Sequence, residues 1–123
     1  MKLSAIEKDI LLETINFYNL SNRGYNTKLD SCEYLTESGN RCAVGRCMID
    51  EELNRSDLEG ASVSFFIKDG DIDHIFKDEY KGCRYQFWDN LQILHDLRSN
   101  WTEDGLSESG KRKVERMFGV EIP

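Results

Sequence analysis

The sequence predicts an α+β fold: an α-rich single domain over residues 1–123, with about four helices and a small β element, either a hairpin or a short sheet. Three observations carry this. Apolar residues recur at helical intervals over four separate stretches, and one middle region mixes short alternating and β-branched runs with turn signals. The composition, 39% apolar and 32% charged with six Phe, five Tyr and two Trp, is that of a chain able to bury a core.

Ser4 and Glu7 have the spacing of a capping box, and Leu3, Ile6, Ile10, Leu11, Ile15 and Tyr18 follow at helical intervals, predicting a helix over 5–19. Asn22 and Gly24 in "SNRGYN" stop it. A polar connection then leads to "CEYL", an alternating run read as a short strand over 32–35, and to the turn-forming "TESGN". Residues 41–48 have two readings, a second strand or a short helix; Ala43 with Cys47 and Val44 with Met48 are each four apart, which favours the helix. Gly45 would sit where backbones come close. The segment 62–68, "VSFFIKD", is open between strand and helix.

Ile72, Ile75, Phe76 and Tyr80 keep helical spacing, predicting a helix over 71–80 that Gly82 ends. The strongest helical pattern covers 84–99. There Phe87, Trp88, Leu91, Leu94, His95 and Arg98 form one stripe, widened by Ile93 and Leu97. A last helix over 109–118 turns Val114, Met117 and Phe118 inward. The expected core draws on Ile6, Ile10, Tyr34, Val44, Phe66, Trp88, Leu91 and Leu94.

The net charge of −7 repels phosphate backbones and argues against general nucleic-acid binding. The basic run Lys111, Arg112, Lys113 and Arg116 is offset by Glu108, Glu115 and Glu121, which is the pattern of a solvated helix face. No apolar stretch approaches the length of a membrane span, and acids interrupt the first fifteen or so residues, so a cytoplasmic protein with reduced thiols is expected.

Four cysteines and two histidines are suitable zinc ligands, but the thiols are not arranged in the close pairs that fix two ligands on one turn. A zinc site on Cys32, Cys42, Cys47 and Cys83, with His74 or His95 as substitute, is the alternative to small apolar thiols in a core; no cofactor is the expectation. Asp69, Asp71 and Asp73 begin like a calcium loop, which His74 and Tyr80 then break. Cys42, between Arg41 and Arg46, has local positive charge that would favour a thiolate, so a thiol-dependent enzyme centred there is the minority reading.

The pattern Cys32-x-Tyr34, Gly39, Cys42-Ala43-Val44-Gly45, then Asp50-Glu51, followed later by Leu91-Gln92-Ile93-Leu94-His95-Asp96, resembles a motif of small uncharacterised phage and prophage proteins. Ile49 departs from it, standing where those proteins often carry Pro, and Arg46-Cys47 shifts the third cysteine by one. The resemblance implies no activity. It implies a setting, a phage product inside a bacterium, and with it a non-enzymatic protein that inhibits or redirects a host factor, a defence factor among the candidates, or sequesters a small signalling molecule.

The expected binding residues are the acidic group Asp50, Glu51, Glu52, Asp57 and Glu59 with the aromatics Phe65, Tyr80, Tyr85 and Trp101. Aromatics anchor interfaces, and acids speed encounter with a basic partner. Self-association through the segment 50–73 is the companion expectation.

Overall fold

The computed structural model describes residues 2–22, 25–26, 31–32, 42–53 and 72–122. Among these, the chain forms four helices and two small antiparallel sheets, an α-rich α+β arrangement. Tyr34, Asp57, Glu59, Phe65, Phe66, and the strand or helix expected over 62–68, lie outside the described residues, as does most of the strand expected over 32–35.

Helix α1 (Ala5–Phe17) starts on the expected capping box: Ser4 Oγ accepts the Glu7 N–H at 3.3 Å, and Glu7 Oε1 accepts the Ser4 N–H at 3.0 Å. It ends two residues earlier than expected because two asparagines build a competing turn. Asn19 Oδ1 accepts the N–H groups of Ser21 and Asn22, and Asn22 Nδ2 donates to the Phe17 carbonyl at 2.6 Å. Side chains of this type offer the backbone an alternative to another helical turn.

Strands β1 (Tyr25–Asn26) and β2 (Ser31–Cys32) pair antiparallel, so the β element begins before Cys32 as well as at it. Over 42–48 the backbone closes one helical turn from Cys42 O to Arg46 N and then tightens into a 3-10 turn at Gly45–Cys47, shorter than the expected helix. It cannot continue, because Met48 forms an antiparallel bridge with Phe76, flanked by Ile49 N–H to Ile75 O at 2.9 Å and Lys77 N–H to Cys47 O at 3.0 Å. Helix α2 (Asp50–Leu53) follows as a single turn with three acids at its start, where the helix dipole favours them.

The same bridge corrects the helix expected over 71–80. Residues Asp73–Ile75 and Asp78–Tyr80 form two 3-10 turns separated by extended Phe76 and Lys77. The apolar set still points inward, with Ile72, Ile75 and Phe76 all buried. Tertiary pairing has claimed the backbone that local periodicity assigned to a helix.

Helix α3 (Tyr85–Asp96) is the centre of the core: Phe87, Trp88, Leu91, Leu94 and His95 are fully buried, and the Trp88 ring stacks on Phe76 with centroids 4.1 Å apart. Its last carbonyls have no intrahelical partners and are met from beyond the helix. Asn100 Nδ2 donates to Leu94 O at 2.9 Å, and Trp101 Nε1 donates to Leu94 O and His95 O at 3.2 and 3.1 Å. Arg98, Ile93 and Leu97, expected on the apolar stripe, are exposed instead.

The stretch 101–106 is a hairpin: β3 (Trp101–Thr102) pairs with β4 (Gly105–Leu106) around Glu103-Asp104. Gly105 takes φ 126°, a conformation that favours glycine. Helix α4 (Glu108–Phe118) is capped by Ser107, whose Oγ accepts the Gly110 N–H at 3.0 Å, and closes on left-handed Gly119. Val114 and Phe118 are buried, and Met117 packs partly exposed against the core. Among the expected core residues that are described, Ile10, Val44, Trp88, Leu91 and Leu94 are buried and Ile6 partly so. Among the described residues, no helix is long and apolar enough to cross a membrane.

Candidate functional site

The 42–48 turn brings the thiols into the core. Cys42, Cys47 and Cys83 are all buried and free. Cys42 Sγ accepts the Gly45 N–H at 3.3 Å, and the Cys47 thiol donates to Ala43 O at 3.6 Å. A polar chain runs alongside. Gln92 Oε1 accepts the Val44 N–H, Gln92 Nε2 donates to Asp96 Oδ1 at 3.0 Å, and the same oxygen lies 2.9 Å from His95 Nδ1. The Tyr18 ring meets the buried His95 edge-on at 4.9 Å.

Burial pushes the Cys47 and Cys83 thiols up to about 12 and Cys42 higher still. The expected activation of Cys42 by its arginine neighbours is therefore not met from Arg46, and Arg41 lies outside the described residues. Arg46 acts on Cys47 instead, and burial outweighs it. In the folded state burial favours the protonated form of these thiols and so disfavours the free thiolate that nucleophilic attack uses. Treatment with a thiol-specific alkylating reagent at neutral pH should leave Cys42 and Cys47 unmodified in the native protein and label them in denaturant. Peptide mass spectrometry reads this directly, and rapid native labelling of Cys42 would restore the enzyme reading. Among the described residues, no group of three or more His, Cys, Asp or Glu side chains is brought together to hold a metal ion.

Arg46 is the second feature. Its guanidinium pairs with Glu13, donates to Tyr80 Oη and Thr14 Oγ1 at 3.3 Å each, and lies over the rings of Phe17 and Tyr80 at 5.2 and 5.7 Å. Tyr80 Oη in turn donates to Glu13 Oε1 at 2.6 Å. That bond, with the Arg46 charge, holds the Glu13 carboxyl below its usual range, while burial and the carboxylate push Tyr80 up to about 12. Tyr80, expected at an interface, is a half-buried strut joining α1 to the 42–48 turn.

The other expected binding residues divide. Asp50 and Glu51 are exposed on the first turn of α2 and Glu52 is half-buried. Tyr85 is 41% exposed. Trp101 is 3% exposed and is corrected to a core residue, since its indole N–H is spent on the end of α3. Asp57, Glu59 and Phe65 are outside the described residues.

The sequence reading missed Ile93 and Leu97, which are 45% and 44% exposed. Tyr85 and Ile93 occupy the side of α3 opposite Trp88, Leu91 and Leu94, with Asp89 and Asp96 on the same side, and Leu97 follows directly at the end of the helix. Periodicity alone reads Ile93 and Leu97 as the broad edge of one buried stripe. Comparison of the chain with protein-family models, curated proteins and solved structures finds no match.

Proposed function

We propose that the chain is a non-enzymatic binding protein of phage type, acting in the host cytoplasm, which inhibits or redirects a bacterial factor by docking it on the outer side of α3. The observation that supports this most is the placement in water of Tyr85 and Ile93, on the helix whose other side forms the core, and of Leu97 at its end. Tyrosine is among the residues that anchor protein interfaces, and the exposed Ile and Leu beside it add apolar area for a partner to cover. Asp89 and Asp96 beside them select a partner segment that is apolar and basic, and the net charge of −7 speeds its approach. The sealed, protonated thiols agree with a protein that acts by occupancy.

The test is affinity capture from bacterial lysate, followed by titration of each purified captured protein against wild type and Ile93→Glu/Leu97→Glu. Both positions are half in water, so the double variant should fold. It should bind at least tenfold more weakly, because the charges would replace apolar contact. Undiminished binding by the double variant would move the site elsewhere. Native mass spectrometry at micromolar concentration separates this from self-association: a wild-type dimer that the double variant abolishes would make a second copy of the chain the partner.

A further inference from the structure

A cavity of about 370 Å³ lies where the segment entering α1 meets the segment leaving α4, lined by Lys2, Leu3, Lys8, Phe118, Gly119 and Val120. Its walls divide by chemistry. Leu3 and Val120 pack partly exposed against the core and Phe118 is buried beneath them, giving an apolar floor. Left-handed Gly119 turns the chain so that Val120 returns over this floor. Lys2 and Lys8 supply the polar part. Among the described residues neither ammonium meets a carboxylate, whereas Lys81 and Lys111 each meet one three residues away. Glu7, beside Lys8, is buried and committed to Arg84, which also donates from Nη2 to the Lys2 carbonyl at 2.7 Å and so fixes the entering segment; Asp9, on the other side of Lys8, is exposed.

The arrangement sets two positive charges beside an apolar recess. A neutral apolar ligand would leave the ammoniums unused, and a bare inorganic anion would leave the floor uncovered. The volume is at the lower end of the range of small-molecule sites. We propose that this cavity binds a small amphiphilic anion, a free medium-chain carboxylate, with the headgroup between Lys2 and Lys8 and the alkyl chain over Leu3, Phe118 and Val120. This site is separate from the outer side of α3, and its occupancy does not depend on that face binding anything.

The test titrates monomeric decanoate, decylammonium and acetate into the full chain, followed by amide NMR. Decanoate should shift amides of residues 2–8 and 117–122 and bind at least tenfold tighter than decylammonium or acetate. Lys2→Ala/Lys8→Ala should weaken decanoate at least tenfold, with the amide spectrum outside the site unchanged because both side chains are at the surface. Val120→Trp, which fills the recess, should weaken it at least as much. Equal affinity for decanoate and decylammonium, an unchanged double variant, shifts confined to other parts of the chain, or no binding would each overturn the proposal. Vesicles of phosphatidylglycerol form a further arm: capture by vesicles without binding of monomeric decanoate would identify a membrane surface as the ligand and also overturn it.

Discussion

Gly110→Ala should destabilise the protein by roughly 2 to 3 kcal/mol, against the local preference of a helix for alanine. Gly110 lies in the first turn of α4, where that helix crosses the turn at 98–100. A Cβ there would sit 2.3 Å from the Asn100 carbonyl oxygen and 2.7 Å from Leu106 Cδ2. Leu106 can rotate aside, but Asn100 is held three ways. Its carbonyl accepts the Ser107 N–H at 2.8 Å, its N–H donates to Leu97 O, and its side chain donates to Leu94 O. Relief therefore requires α4 to move away from α3, with loss of the burial of Val114 and Phe118. Helix propensity would gain back only about 1 kcal/mol. Urea unfolding followed by circular dichroism measures the difference, and a variant as stable as wild type would show that the crossing is loose.

Glu7→Gln should have a comparable effect and carry a pH signature. The carboxylate is 1% exposed and accepts from the Ser4 N–H, the Arg84 N–H at 3.0 Å, and Arg84 Nε and Nη2 at 3.2 and 2.7 Å. Burial is the largest influence and raises its pKa, but the hydrogen bonds and the Arg84 charge together outweigh it and bring the group to about 2. Because the folded value lies below the unfolded one, the stabilisation is full above about 4.5 and is lost as pH falls towards 2. Since Arg84 is half in water, the full shift is discounted to on the order of 2 kcal/mol. Glu7→Gln should lose about that much at pH 7 and show a flatter stability profile between pH 5 and 2.5 than wild type. Parallel profiles would mean that Glu7 is a dispensable cap.

Much of this fold is legible along the chain where a signal is local. Ser4 with Glu7 announces α1, and Trp88, Leu91 and Leu94 announce the buried side of α3, because cap chemistry and helical spacing act within a turn or two. The larger failures involve distant partners. Periodicity places Ile72 to Tyr80 on a helix, but the bridge from Met48 to Phe76 decides the backbone there. Trp101 looks like an interface aromatic until the end of α3 claims its indole N–H. As for the proposed docking face, Ile93 and Leu97 have the right spacing for core, and only the position of the rest of the chain leaves them outside.

The anchoring of α1 has a consequence for biosynthesis. Glu7 finds its guanidinium 77 positions further on, Lys2 O is held from 82 positions further on, and Leu20 N–H is bonded to Thr102 O. At translation speeds of roughly 5–20 residues per second, that first separation alone takes about 4 to 15 s to synthesise. For this interval α1 has its carboxylate unpaired and its apolar side bare, open to a chaperone, and its native contacts form only once residues 84–102 have been made.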